Sequence, residues 1–141
     1  MQECRVCSTL IKQIHDEMEK RANNSLRSQD LTMAQVGVLM ELYRASGKQL
    51  PLKELEHRLH VAQSTAAGIV VRLEQKRFVE SFGSPGDRRI KMVKITADGE
   101  ACCLVAEQQM KNAEEELLAG LTETERSIFL SLLQKVCDTL I

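Results

Sequence analysis

Tryptophan is absent from this 141-residue chain, tyrosine occurs once and phenylalanine three times, so aromatic residues reach only 3%. That scarcity argues against a binder of single-stranded nucleic acid, which stacks successive bases on aromatic rings. No apolar run approaches the 18 or so residues of a membrane helix. A secretory leader is also missing, because Met1-Gln2-Glu3 runs straight into a helical pattern. These absences predict a cytoplasmic protein with no membrane partner. The ingredients of catalysis are missing too. His15, His57 and His60 are scattered, and no nucleophile–base pair, glycine-rich phosphate loop or metal triad accompanies them. The expectation is no enzyme, no cofactor and no metal, with His57 serving surface or packing.

What is present fits one soluble domain, residues 1–141: 43% hydrophobic and 28% charged residues, in a chain long enough to bury a core. The net charge of −1 hides an asymmetry. Residues 53–94 hold nine Lys/Arg against five acids, a local +4 that leaves −5 for the remainder. A basic module inside an acidic chain suits contact with phosphates; the bland alternative is a solvated face.

The basic stretch has a definite pattern. Leu52, Leu55 and Leu59 lie at i, i+3, i+7, one face of a short helix. His60-Val61-Ala62 interrupts it. Ala66, Ile69, Val70 and Leu73 then mark the buried face of a second helix, leaving Gln63, Ser64, Thr65, Ala67, Gly68 and Arg72 outside. Two such helices joined by about three residues predict a helix-turn-helix whose second helix enters the DNA major groove. Phe78–Phe82 and Ile90–Ile95 read as strands around the turn residues Gly83-Ser84-Pro85-Gly86-Asp87, a hairpin carrying Arg88, Arg89, Lys91 and Lys94. A basic hairpin directly after a helix-turn-helix is a wing.

With its flanking helices, this stretch resembles the MarR family of bacterial transcriptional regulators. The resemblance rests on Val61-Ala62-Gln63-Ser64-Thr65, Arg72-Leu73-Glu74, Asp87-Arg88-Arg89 and Ile95-Thr96-Ala97-Asp98-Gly99 in that order, and it extends over essentially the whole chain. It implies a mainly α (α+β) fold: a winged helix-turn-helix with a two-stranded wing over 31–97, flanked by dimerisation helices in 1–24 and 98–141. It also implies a homodimeric repressor on double-stranded DNA, with a pseudo-palindromic operator and an unidentified small-molecule effector. The DNA-binding candidates are Gln63, Ser64, Thr65, Gly68, Arg72, Asp87, Arg88, Arg89 and Lys91. Family precedent sends the arginine of an Asp-x-Arg wing tip into the minor groove, oriented by the aspartate; here these are Arg89 and Asp87. Arg88 and Lys91 fall to the DNA backbone. Arg72 is either a DNA contact or a surface arginine pairing with Glu74.

Several positions depart from the family pattern. Ala62 stands where a serine N-cap is usual, a loss of about 1 kcal/mol of helix stability; Ser64 is the alternative cap, for a helix starting one turn later. His60 and Arg77 occupy places where glycine is common, and Ala67 and Gly68 remove polar side chains that many relatives carry.

From the start of the chain, Cys4, Cys7, Ile11, Ile14 and Met18, widened by Val6 and Leu10, predict a helix over 3–22 that Asn23-Asn24-Ser25 ends. Thr32 and Gln35 form a capping box before a helix that turns Val36, Leu39, Met40 and Tyr43 inward. Gln49-Leu50-Pro51 reads as an extended link. Thr96 caps a helix over about 98–119 with Cys102, Ala106, Met110, Ala113 and Leu117 on its apolar face. Thr122 and Glu125 form a second box ahead of Ile128, Phe129, Leu132, Leu133, Val136 and Leu140. The first and last helices offer more apolar surface than a small winged domain covers. By the resemblance, Val6, Leu10, Ile14, Leu117, Leu132, Val136 and Leu140 form the dimer interface.

Five cysteines (Cys4, Cys7, Cys102, Cys103, Cys137) do not make a disulfide framework. Cys4 and Cys7 have the spacing of a redox or zinc pair, yet both lie on the apolar stripe, where cysteine packs as a small hydrophobe. Packing, oxidant sensing and metal binding are the three readings, although no second Cys pair or nearby histidine completes a zinc site. The rival function from another class is a winged helix that binds a protein rather than DNA.

Overall fold

In the computed structural model, the described backbone covers residues 2–141, with side chains described from Val6 onward. The elements are α1 (Gln2–Arg27), α2 (Met33–Arg44), β1 (Gln49–Pro51), α3 (Leu52–Leu59), α4 (Gln63–Gln75), β2 (Val79–Gly83), β3 (Lys91–Ile95), α5 (Ala97–Leu117) and α6 (Glu123–Leu140). They divide into two units, one reaching to Gln109 and the other running from Met110 to Ile141.

α1 does not stop at Asn23-Asn24-Ser25; it continues to Arg27. The actual stop is a left-handed residue, Asp30 at φ 55°. The Leu31 amide bonds the Leu26 carbonyl at 3.1 Å and the Asp30 amide bonds that of Arg27 at 3.1 Å. This Schellman closure carries its usual hydrophobic partner, since Leu26 and Leu31 are both buried. The expected box then opens α2: the Thr32 hydroxyl accepts from the Gln35 amide at 3.1 Å and the Gln35 side chain accepts from the Thr32 amide at 3.2 Å.

α2 is the centre of the first unit. Val38 and Leu42 are fully enclosed beside Leu39 and Met40, while Val36 and Tyr43 are only partly covered. One apolar stripe had been expected, but α2 touches α1, α3, α4 and β3 and needs apolar residues on most sides. Gln35, 4% exposed, is the buried polar residue among those described. Its carbonyl oxygen also accepts from Lys76 Nζ at 3.1 Å, so the start of α2 is tied to the end of α4.

Gln49–Pro51 is a strand rather than a mere link. It pairs antiparallel with β3, with Leu50 opposite Val93, and β3 also pairs with β2, Ser81 opposite Val93. The two-stranded wing therefore belongs to a three-stranded sheet in the order β1-β3-β2. Leu55, Val70, Leu73, Val79, Val93 and Ile95 join the α2 residues in one core.

α5 begins where α4 and the sheet end. Thr96 Oγ1 accepts from the Gly99 amide at 3.2 Å and donates to the Arg77 carbonyl at 2.8 Å. Gly99 is pressed so closely that a Cβ there would lie 2.3 Å from the Phe78 carbonyl oxygen and 2.7 Å from Ile95. On α5, Ala106 is buried as expected, but the buried thiol is Cys103 with Cys102 half-covered, and Met110 is exposed. In the second unit the expected capping box of Thr122 and Glu125 starts α6. Arg126 anchors that turn, donating to the Leu118 carbonyl at 3.1 Å and to Glu115 at 3.3 Å.

Gly99→Ala should lower unfolding free energy by about 1–3 kcal/mol, because backbone rather than a flexible side chain must move. Urea denaturation measures this; an unchanged midpoint would show that the close approach relaxes freely.

Candidate nucleic-acid interface

The helix-turn-helix is α3, His60–Ala62 and α4. His60 takes the left-handed conformation, φ 53° and ψ 43°, that ends α3. Its amide bonds the His57 carbonyl at 3.3 Å and the Val61 amide bonds that of Glu56 at 3.2 Å. A histidine thus fills the place where glycine has no Cβ penalty. Arg77, φ 64°, does the same after α4.

α4 starts at Gln63 with Ala62 as N-cap and no side-chain cap. The later start with Ser64 as cap is therefore overturned: Ala62 is already extended at ψ 154°, and its carbonyl accepts from the Ala66 amide at 3.0 Å. The N–H groups of Gln63, Ser64 and Thr65 lie in the first turn of a helix without a side-chain cap, where anions are favoured. Ala66, Val70 and Leu73 are buried, and Gln63, Ser64, Thr65, Gly68 and Arg72 are exposed. Glu74 is engaged elsewhere: it accepts from the Ser81 hydroxyl and lies 3.7 Å from Lys91 Nζ. Arg72 makes no ion pair with it, and Lys91 braces the wing against the end of α4.

At the wing tip, Asp87 holds Arg89 through three bonds. Arg89 Nε reaches Oδ1 at 3.1 Å and Nη2 reaches Oδ2 at 3.1 Å, while the Arg89 amide also donates to Oδ1 at 3.0 Å. The arginine side chain is nonetheless 91% exposed. Its planar fork is oriented without being buried. Arg88 is exposed beside it, and the hairpin closes because Gly83 sits against Arg88, where a Cβ would meet backbone atoms at 3.1 Å.

Not every basic residue of this stretch faces outward free. Arg58 is bonded to Glu54 at 3.1 Å and to Glu41 at 3.4 Å. Lys76 donates to the Asp30 carbonyl and to Gln35. Sequence alone counted both toward the DNA-facing charge; beyond Glu54, on Arg58's own helix, their partners Glu41, Asp30 and Gln35 are distant in the chain, and the pairs hold the fold instead. Among the described residues, Lys53, Arg72, Arg77, Arg88 and Lys94 form no ion pair.

The MarR family profile matches residues 31–91, from the start of α2 to the return strand of the wing. The Multiple antibiotic resistance protein MarR of Salmonella typhimurium is 31% identical over 128 residues, 90% of this chain and 88% of that protein. The chain belongs to the MarR family. A solved mutant of Escherichia coli MarR complexed with operator DNA superposes with TM-score 0.72 at 30% identity, covering 95% of each chain. YusO of Bacillus subtilis, at 23% identity, shares the fold alone, with TM-score 0.87 over 97% of this chain and 96% of its own. MarR-family members are DNA-binding transcriptional regulators, not enzymes, and so is this chain.

Outside the winged motif, Val6, Leu10 and Ile14 of α1 and Leu132, Val136 and Leu140 of α6 are exposed in the single chain; Leu117 is half-buried. Cys7 is exposed, and Cys4 lies outside the residues whose side chains are described. Burial pushes the Cys103 thiol up to about 11, helped by Cys102, and raises that of Cys102 as well. These two thiols are poor thiolates at neutral pH. His15, Asp16 and Glu19 form an exposed surface group in which Asp16 already binds Lys12 at 2.8 Å. No described helix is long and apolar enough to cross a membrane.

The Arg89 side chain, then its amide, holds the Asp87 carboxyl below its ordinary 3.8. Any stability this pair adds is therefore present above pH 3.8 and is lost as pH falls through the depressed value. Carboxyl NMR should show Asp87 titrating below 3.8 and moving back toward it in Arg89→Ala. Identical midpoints would mean the pair does not persist in solution.

Proposed function

We propose that this regulator is a homodimeric repressor on a pseudo-palindromic operator. The first turn of α4, with Gln63, Ser64 and Thr65, enters the major groove, and Gly68 and Arg72 follow along the helix. Arg89, oriented by Asp87, enters the adjacent minor groove, where a narrow A·T-rich groove attracts arginine. Arg88 and Lys91 lie along the phosphates. The observation that carries this reading is the Arg89 side chain: bonded on both forks to Asp87 and still open to solvent. A structural arginine would be covered, and an incidental one would not be triply fixed.

The lobe over 31–97 serves DNA, and 1–24 with 98–141 serves dimerisation. Its support is the apolar surface of α1 and α6 exposed in the single chain, a face that cannot stand in water alone. Two recognition helices would then meet half-sites about 10 bp apart. Such a dimer, seated over promoter DNA, blocks transcription by occupancy. A small ligand that binds one lobe spacing better than another shifts operator affinity; oxidation of the exposed Cys7 thiol is the second route of control.

The first test is fluorescence anisotropy of reduced protein with duplexes tiling its own upstream region, at two salt concentrations. One tile should bind saturably, steeply weaker at higher salt. Arg89→Ala should lose about tenfold or more in affinity. Unchanged affinity would remove Arg89 from the minor groove. Failure on every duplex, random DNA at low salt included, would turn the winged helix into a protein-binding module.

Sedimentation at micromolar concentration tests the assembly. The expected mass is twice the 15.9 kDa of one chain, and a monomeric mass would refute the dimer.

A further inference from the structure

One ridge of α4 carries Ser64, Gly68, Val71 and Gln75, at i, i+4, i+7 and i+11, opposite the buried Ala66, Val70 and Leu73. The ridge holds no charge over three turns. Two of its residues are poor choices for a helix that only has to fold. Gly68 lies mid-helix, yet a Cβ added there would meet nothing within 4 Å. Its φ is not left-handed either. Alanine would fit and would favour the helix. Val71, β-branched, is 44% exposed and lies outside the core cluster; a β-branched residue is again a weak helix former. A single exposed apolar side chain is ordinary. An unneeded glycine one turn before it, on the same uncharged ridge, is not.

We propose that Gly68 and Val71 form an apolar notch that reads thymine in the major groove. This deepens the assignment of α4 as the DNA-reading helix and rests on it. The missing side chain at Gly68 lets the helix backbone seat close to the base edges. The two methyl groups of Val71, one turn on, then meet the thymine C5-methyl, the one apolar group that a base pair presents in that groove. Valine offers no donor or acceptor, so it gains from this methyl and gains nothing from cytosine, whose C5 is bare. Arg72, beside the ridge, stays free for phosphate or guanine.

The test starts from an operator selected out of random duplexes by the full chain. Each thymine of a half-site is then replaced singly by deoxyuracil, which keeps every hydrogen-bonding edge and removes only the methyl. Wild-type affinity should fall roughly fourfold at each contacted position. Val71→Ala should bind the thymine operator less tightly and be indifferent to the same replacements. Gly68→Ala should raise Tm and weaken operator binding together. If no uracil replacement affects the wild type, the notch is overturned while DNA binding stands. Equal sensitivity in Val71→Ala, or undiminished binding by Gly68→Ala, overturns it as well. Should selection enrich no duplex at all, the reading of α4 as a DNA-binding helix fails first, and the notch with it.

Discussion

The structure turns on the few ångströms between Phe78, Thr96 and Gly99. The Thr96 amide bonds the Phe78 carbonyl at 3.0 Å, its hydroxyl bonds that of Arg77, and Gly99 lies directly against Phe78. Three things end or begin there: the recognition helix, the two wing strands and α5. Because the contact is backbone on backbone, it has little slack. The recognition helix and the wing are consequently one rigid reading head, and the first turn of α5 is its handle. Lys48 adds a second fastening on the same turn, pairing with Glu100 while lying 5.1 Å over the Tyr43 ring. The proposed control by an effector would need such stiffness, since lobe movement could alter DNA affinity only where it is not absorbed locally.

Electrostatics divides the basic residues into two kinds of work. Arg58 and Lys76 spend their donors on Glu41, Glu54, Asp30 and Gln35, fastening α2 to α3 and to the end of α4. Exposed pairs of this sort add little stability individually, but they fix where the helices lie. Apart from Lys53 on α3, the cations left over sit on or just after α4 and in the wing, where phosphate charge would recruit them. Arg89 belongs to both kinds: Asp87 sets its direction and cancels part of its field. On the proposed reading, an encounter with DNA would begin from an ordered arginine, and less side-chain entropy would be lost on contact.

Much of this was legible in sequence because it is local. Period-3.6 patterns mark the apolar faces of α3 and α4, and the capping boxes at Thr32 and Thr122 are explicit in the sequence. The resemblance, rather than any local pattern, marks positions 60 and 77 as places where glycine is common, and His60 and Arg77 take the left-handed conformation there. The misses are tertiary. Gln49–Pro51 is too short to show alternation, and only its pairing with β3 makes it a strand. The continuation of α1 to Arg27 depends on the Schellman closure at Asp30, a position where no glycine advertises it. Gln35 and Lys76 lie 41 residues apart, so nothing local links them. Cys103, and not only Cys102, is drawn into the core because Gly99 presses the start of α5 against Phe78. For the interface, periodicity predicts the exposed face of α4, whereas a lone apolar residue such as Val71 carries no sequence signal of binding.

The places where the chain ignores its own local preferences have a common logic. An uncapped α4, a mid-helix glycine with empty space around it and apolar stripes on α1 and α6 all cost the isolated chain stability. None is compensated inside the fold, where every buried side-chain polar atom described has a partner. A sequence selected only to fold would have removed them with single substitutions. Their position on outward surfaces, and not in the core, supports the proposal that the compensation lies outside the chain. The uncapped amides and the ridge of α4 fit a polyanion with apolar groups in its groove, and the stripes of α1 and α6 fit another copy of the same surface. The local rules are broken where DNA and a partner would stand.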